Sequence, residues 1–138
     1  LALQLGATHV VDPGGGDVVA AMADIVPVGV DVAMECAGVP ETFTQSLAAV
    51  RRGGTAVLFG VMAKGTTVAV EPFDLLFREV RLVPAYLNPQ THQRAAAMIA
   101  AKTLQLMPLI SRVVGIADIA TELAAEPRAG DVKVMVRS

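Results

Sequence analysis

The stretch VDVAMECAG at residues 30–38, followed by VPET at residues 39–42, decides the fold. Residues 30–36 form an apolar-rich run that is typical of a buried strand, and small residues then break it. Pro40 suits the first position of a helix, where a missing N–H costs nothing, and Glu41 falls in the first turn, where the helix dipole favours an acidic side chain. In an open parallel sheet, ligands bind at such strand-to-helix turns. The stretch therefore predicts a ligand-binding strand end in an α/β protein.

The segments on both sides repeat this alternation of strand and helix. Upstream, Asp17 is predicted to cap a helix with apolar residues at i, i+3, i+4 and i+7 spacing. Downstream, a helix over 40–50 leads through a predicted turn at 51–54 into a strand over 55–59. The order β-α-β-α-β with short connections predicts a doubly wound parallel sheet. The further expected elements are strands at 8–12, 66–70, 80–87, 111–114 and 132–137 and helices at 72–78, 91–103 and 117–125.

Composition narrows the classes of function. Of the 138 residues, 54% are hydrophobic and 17% charged, which excludes disorder and suits strands buried on both faces or a fragment of a larger protein. The net charge of −2 without a basic run argues against nucleic-acid binding. No apolar run approaches the ~18 residues of a membrane span, and no signal peptide is recognisable, so a cytoplasmic protein is expected. One cysteine and two distant histidines predict no internal disulfide and no metal centre.

Five motifs in order resemble the medium-chain dehydrogenase/reductase superfamily, above all its zinc-dependent alcohol and polyol dehydrogenases of the sorbitol, butanediol and threonine dehydrogenase group. The motifs are LGATHVVD at 5–12, DVAMECAG at 31–38, RGGT at 52–55, FGV at 59–61 and GDVKV at 130–134. The resemblance covers the whole chain but corresponds to the C-terminal part of a full-length member. It implies an N-terminally truncated Rossmann-like domain.

The resemblance also implies a domain division and an activity. Residues 1–108 would be the C-terminal part of the NAD(P)-binding domain, and residues 109–138 a return segment that belongs partly to the catalytic domain. The glycine fingerprint, the ribose-reading residue and the zinc ligands of relatives would precede Leu1. We therefore expect no catalytic residue and no metal ligand in this chain, which alone would be inactive. The parent would transfer hydride between a secondary alcohol or polyol and NAD or NADP, with zinc as a Lewis acid on the substrate oxygen.

In such relatives the ends of three neighbouring strands hold the nicotinamide. The ring needs a flat, dry surface, and its carboxamide needs main-chain donors and acceptors that strand ends leave free. Lys133 matches a basic position that contacts the pyrophosphate. The chain departs from the usual family pattern at Pro84, where a glycine or small residue is commoner. This bears on the path of the sixth strand of the family's sheet, and so on the contacts of Ala85 and Leu87. Carried across by motif, the residues at the strand ends are Cys36, Ala37, Gly38, Phe59, Gly60, Val61, Ala85, Tyr86 and Leu87.

The residues themselves leave other roles open. Glu35 at a strand end has the position of a general base, but the sequence names no partner for it, which favours a structural role. Cys36 has no neighbouring cation and is expected to pack as a small apolar group. For residues 59–61, cofactor binding and sheet packing are equally supported, whereas for Lys133 simple exposure is favoured over the phosphate contact.

Rival functions and partners also follow from the sequence. The nearest rival is a zinc-free, quinone-reductase-type enone reductase that uses NADPH, and the second is a non-catalytic α/β binding domain. A methyltransferase-like domain is a weaker third, because its glycine-rich loop would also have to be absent. The expected partner is a small alcohol or ketone, with no nucleic acid and no membrane. A short edge strand at 66–70 is expected to pair across a two-fold axis in a homo-oligomer.

Overall fold

The computed structural model describes residues 1–86, 90–126 and 128–138. The chain forms two compact units, a central unit of Ala7–Pro89 and a terminal unit that joins Leu1–Gly6 to Gln90–Ser138. The central unit contains a 3-10 turn at Pro13–Gly15, α1 (Val18–Ile25), β1 (Val30–Glu35), α2 (Pro40–Ala49), β2 (Val50–Leu58), α3 (Pro72–Arg78) and β3 (Arg81–Pro84). The terminal unit contains α4 (His92–Ala100), β4 (Ile110–Gly115), α5 (Ile119–Ala124) and β5 (Lys133–Arg137), with 3-10 turns at Leu3–Leu5, Met107–Leu109 and Ile116–Asp118.

The central sheet has the order β1-β2-β3, with all three strands parallel. Parallel neighbours need a crossover, which α2 supplies between β1 and β2 and α3 supplies between β2 and β3. Glu35 is in register with Leu58, and Leu58 with Pro84, so the three strands end level with one another. The α/β class with parallel strands is therefore confirmed.

The core lies between this sheet and α2. Phe43 and Leu47, one turn apart on α2, are buried with Val50 and Ala56 of β2. Burying a side chain of this size contributes roughly 1.5–3 kcal/mol, so this small set fixes α2 to the sheet. The partly buried residues that pack against it are Val30, Ala33, Leu58, Met62, Val68, Leu75 and Val80.

The predicted helix starts are confirmed where the sequence carries a cap. The Asp17 carboxylate accepts hydrogen bonds from the N–H groups of Val19 and Ala20 at 2.9 and 3.1 Å, which starts α1. Pro40 is the first residue of α2, and Glu41 lies in its first turn.

Gly6 ends the first 3-10 turn in the left-handed conformation, with φ of 105°.

The turn expected at residues 51–54 is wrong. β2 begins at Val50 and passes through these residues, and its register with β1 shifts between Val30 and Val32. Such a bulge takes up the extra residues without ending the strand. Gly54 permits it, because a Cβ there would lie 2.4 Å from Cγ1 of Val50 and 3.0 Å from the Asp31 carbonyl oxygen.

Two expected strands do not form within the described chain. Residues 8–12 and 66–70 are β-branched, but neither segment lies in a sheet there. Composition favours an extended backbone, whereas a strand also needs a partner for its hydrogen bonds. Val68 instead packs on the core of the central unit. The strand expected over 80–87 is shorter, since β3 ends at Pro84, which has no N–H to donate.

The terminal unit has its own two-stranded parallel sheet of β4 and β5. The Arg112 guanidinium donates to the carboxylates of Glu122 on α5 and Asp131 ahead of β5. The Ser111 hydroxyl accepts from the Val132 N–H at 2.7 Å. These bonds join β4 to α5 and to the residues directly ahead of β5. Within the described ranges, no helix combines the length and apolar character that crossing a bilayer requires.

Candidate functional site

Main-chain hydrogen bonds join the carboxyl ends of the three central strands. The Glu35 carbonyl accepts from the N–H groups of Phe59 and Gly60 at 3.0 and 2.8 Å. The Leu58 carbonyl accepts from the Ala85 N–H at 2.9 Å. The sheet pairing thus continues beyond the strands, and the residues that follow β1, β2 and β3 lie side by side at one edge.

The loops at residues 36–38 and 59–61 touch backbone to backbone. A Cβ on Gly60 would lie 2.3 Å from the Gly38 nitrogen, well inside van der Waals contact. Gly38 has φ of 73°, and a Cβ there would lie 2.7 Å from the Val61 carbonyl oxygen. Only glycine fits at these two positions, because any side chain would push the loops apart.

The structure brings most of the predicted cofactor residues to this edge. Val61 and Tyr86 are 79% and 75% exposed, Phe59 and Cys36 are also exposed, and Ala85 is half-buried. Together with Ala37, Gly38 and Gly60 they follow the three strand ends, and the backbone contacts described above bring the loops at 36–38 and 59–61 together.

Two predicted residues are described separately. Leu87 lies outside the described residues. Lys133 is the exposed first residue of β5, in the terminal unit, and its phosphate contact stays a prediction.

Glu35, the last residue of β1, is the buried charge of the site, with 3% of its surface exposed. Its Oε1 accepts from the N–H groups of Ala37 and Gly38 at 2.8 and 2.7 Å and from the Thr42 hydroxyl at 2.7 Å. Hydrogen bonds to an ionised acceptor are stronger than neutral ones. One carboxylate oxygen thus holds the loop after β1 and the first turn of α2.

The protonation state of Glu35 follows from these bonds. Burial works to raise its pKa, but the hydrogen bonds from the Thr42 hydroxyl and the N–H groups of Gly38 and Ala37 outweigh it and hold the pKa below the ordinary value. Glu35 is therefore ionised at neutral pH. A general base works best with a pKa near the working pH and an accessible oxygen, and Glu35 has neither, so the structural role is the better supported one.

Sequence analysis missed Thr42. The available signal was a hydroxyl residue in the first turn of a helix that follows a strand ending in glutamate. Pairing the two requires knowing that the intervening loop folds back, which spacing alone does not give.

Two concavities border the central sheet and share Met22, Val30 and Ala49 in their linings. One, of about 390 Å³, runs along β1 and reaches Glu35, Cys36 and Ala37. The other, of about 240 Å³, lies at the amino ends of the strands beside Gly29 and Arg51. Only the first adjoins the predicted site. Among the described residues, no three His, Cys, Asp or Glu side chains gather as a metal site would require.

Comparison with known proteins establishes the family. The sequence profile of the zinc-binding dehydrogenases matches residues 1–102, well over half of the chain. The chain belongs to the zinc-binding dehydrogenase family. The level strand ends and closely packed glycines described above are therefore features of a zinc-binding dehydrogenase.

Solved structures of this family share the fold. The crystal structure of a "putative zinc-binding dehydrogenase" from Sinorhizobium meliloti 1021 bound to NADP is 44% identical, with a TM-score of 0.94 over 99% of this chain and 41% of that one. 2R,3R-butanediol dehydrogenase from Bacillus subtilis is 27% identical, with a TM-score of 0.83 over 99% of this chain and 40% of that one. These similarities confirm the Rossmann-like class.

Curated relatives agree with the structural ones. L-threonine 3-dehydrogenase from Colwellia psychrerythraea (strain 34H) is 30% identical over 121 residues, which are 86% of this chain and 35% of that enzyme. The chain spans between 23% and 35% of the length of the curated relatives that it matches.

Proposed function

We propose that this chain supplies the nicotinamide side of the cofactor site in a NAD(P)-dependent, zinc-type alcohol or polyol dehydrogenase. The observation that carries the proposal is that β1, β2 and β3 end level with one another. There the Glu35 carbonyl accepts from the Phe59 and Gly60 N–H groups, and the Leu58 carbonyl accepts from the Ala85 N–H. The relative from Sinorhizobium meliloti 1021 that binds NADP supports it.

These strand ends suit an aromatic ring. Gly38 and Gly60 put no side chains between the two loops, so backbone and small groups present a flat floor. Exposed apolar side chains such as Val61 and Tyr86 border that floor and exclude water from one face of a bound ring. Hydride transfer needs the ring held in one orientation, with its other face open to the substrate, and positioning of this kind lowers the barrier without acid–base chemistry. When bound, the cofactor supplies the hydride acceptor.

The described residues contain no cluster of three His, Cys, Asp or Glu side chains that could hold zinc. In the proposed parent its ligands lie in another part of the protein, and no step performed by this chain involves the metal. The chain's contribution is to bind and orient the cofactor. Residues 1–108 would then belong to the NAD(P)-binding domain, and residues 109–138 would return to the catalytic domain.

The partners proposed for the parent are a small secondary alcohol or polyol and its ketone, and a second copy of the chain. Residues 66–70 support the second proposal, because they are β-branched and pair with no strand in the described part of the chain. A strand without a partner in its own chain can complete its hydrogen bonds across a two-fold axis. Sedimentation of the full protein as a monomer at high concentration would contradict the dimer.

The test of the proposed function uses the full protein that carries this chain. We expect NADH or NADPH fluorescence to change on binding, and a panel of secondary alcohols and polyols to be oxidised with the appearance of reduced cofactor. Removal of zinc with a chelator should abolish oxidation. Chelator-resistant reduction of an enone with NADPH would favour the zinc-free rival, and failure to bind either cofactor would overturn the proposal.

A further inference from the structure

The hydrogen bonds of the Glu35 side chain differ from those of a helix cap. An N-cap side chain accepts from N–H groups in the first turn of its own helix, as Asp17 does at the start of α1. Here the Ala37 and Gly38 N–H groups belong to the loop ahead of α2, and only the Thr42 hydroxyl lies on the helix. Two of the three bonds therefore fix the loop at 36–38 rather than the helix.

The other carboxylate oxygen links Glu35 to the second loop. A Cβ on Gly60 would lie 2.5 Å from Oε2, so the carboxylate rests against the Gly60 backbone. In the described part of the chain Oε2 is buried and accepts no hydrogen bond. The Gly60 N–H donates to the Glu35 main-chain carbonyl at 2.8 Å. One residue thus touches both loops, through its side chain and through its backbone.

Burying a carboxylate costs free energy, because the charged group loses its hydration. An apolar side chain of similar size would pack at this position without the cost of desolvating a carboxylate. The carboxylate accepts strong hydrogen bonds from two adjacent N–H groups, and an apolar side chain cannot accept them. The position of the loop at 36–38 is the feature that depends on the charge.

We propose that Glu35 is a positioning residue for the nicotinamide ring, whose ionised carboxylate holds the loops at 36–38 and 59–61 at the spacing that forms the floor of the site. The inference rests on the proposed function and deepens it. Glu35 does not touch the ring itself, since its side chain is buried beneath the loops that do. Its effect is confined to the nicotinamide half of the cofactor.

The test compares Glu35→Gln with Glu41→Gln in the full protein. Glutamine keeps the shape of Glu35 but removes its charge, whereas Glu41 is an exposed carboxylate in the first turn of the same helix. NADH and NADPH are titrated, with ADP-ribose and its 2′-phosphate as probes that lack nicotinamide. All titrations are made well below the thermal midpoint of every variant, and Glu35→Asp tests recovery of the charge.

For Glu35→Gln we expect reduced-cofactor binding about tenfold weaker, roughly the loss of one charge-assisted hydrogen bond. Binding of the ADP-ribose probes should stay unchanged, and Glu41→Gln should bind every probe like the unmodified protein. Equal weakening of both probe classes, or none of either, would overturn the inference. If the unmodified protein binds the ADP-ribose probes and the reduced cofactors equally well, the nicotinamide site of the proposed function fails instead, so the two failures are distinct.

Discussion

The two edges of the central sheet use charged side chains in opposite ways. At the amino edge, charges pair with opposite charges: Arg51 with Asp31 at 2.6 Å, and Arg78 with Asp74 at 2.5 Å. At the carboxyl edge, every hydrogen bond that the buried carboxylate of Glu35 accepts from the described residues comes from a neutral donor. The amino edge leaves its charged groups partly exposed to solvent, whereas the carboxyl edge buries its charge.

This difference separates stability from binding. Arg78 also donates to the main-chain carbonyls of Leu47 and Val50, at 3.1 and 2.8 Å, and so satisfies the last turn of α2. Those contacts complete the protein's own hydrogen bonds. Glu35 likewise completes main-chain bonds, but beneath the loops that are proposed to hold the cofactor. Substitutions at the amino edge should therefore change stability alone, and those at the carboxyl edge should also change cofactor binding.

The largest effect is expected for Gly60→Ala. The new Cβ would lie 2.3 Å from the Gly38 nitrogen, a backbone atom that cannot rotate away. We expect the free energy of unfolding to fall by roughly 3 kcal/mol, as for overpacked sites, with weaker NAD(P)H binding. Urea denaturation measures the first and fluorescence titration the second. Gly15→Ala is the matched control, because its Cβ would meet nothing within 4 Å; equal effects of the two changes would contradict the close packing.

At the amino edge, Arg78→Met should act on stability alone. It leaves the carbonyls of Leu47 and Val50 without their side-chain donor, which costs on the order of 2 kcal/mol for partly buried groups. Asp74→Asn should lower the free energy of unfolding by less, because Arg78 still donates hydrogen bonds to both carbonyls. Urea denaturation of the two variants checks the order. A change in NAD(P)H affinity with Arg78→Met would break the contrast between the edges.

How far the sequence predicts each edge depends on whether the signals are local. The strand over 30–36, the Asp17 cap and the start of α2 at Pro40 follow from neighbouring residues, and the structure confirms them. That the residues after β1, β2 and β3 lie side by side follows from parallel topology. The family resemblance then indicated which of these residues to expect at the cofactor.

The rest depends on contacts distant in sequence. The bulge through 51–54 exists because β1 is there to pair with, and two glycines in a row look like a turn until that partner is known. Residues 66–70 show the opposite case. Their composition favours a strand, but no strand in the described part of the chain pairs with them. The bond from Thr42 to Glu35 spans seven residues and depends on the loop between them folding back.

Acid should weaken the carboxyl edge through Glu35. Its pKa is held below the ordinary value of 4.5 in the folded protein, so the folded state binds the proton less readily than the unfolded state. The stabilisation is complete above pH 4.5 and is lost as the pH falls through the lower, folded value. Glutamine at position 35 does not titrate, so we expect Glu35→Gln to lose less stability than the unmodified protein as the pH falls below 4.5.

Urea denaturation across this pH range measures the difference between the unmodified protein and the variant. Asp74, whose pKa the Arg78 guanidinium also lowers, titrates in both proteins and cancels in the comparison. The described groups that contact Glu35 are the uncharged Thr42 hydroxyl and main-chain N–H groups. Parallel pH curves for the two proteins would show that Glu35 is not held ionised by its neighbours.

The smallest effect is expected for Asp31→Asn. The Asp31 side chain is 79% exposed, so its short ion pair with Arg51 lies in water and is screened by salt. Exposed pairs contribute about 0.2–1 kcal/mol, and Arg51 keeps a second bond to the Arg52 carbonyl at 2.7 Å. The variant should therefore lose at most about 0.5 kcal/mol of unfolding free energy in urea, and less at high salt. A loss as large as that of Arg78→Met would mean that the amino edge is held by its surface charges. The hydrogen bonds from Arg78 to the main-chain carbonyls would then not explain the stability of the amino edge. The contrast with the carboxyl edge would need another cause.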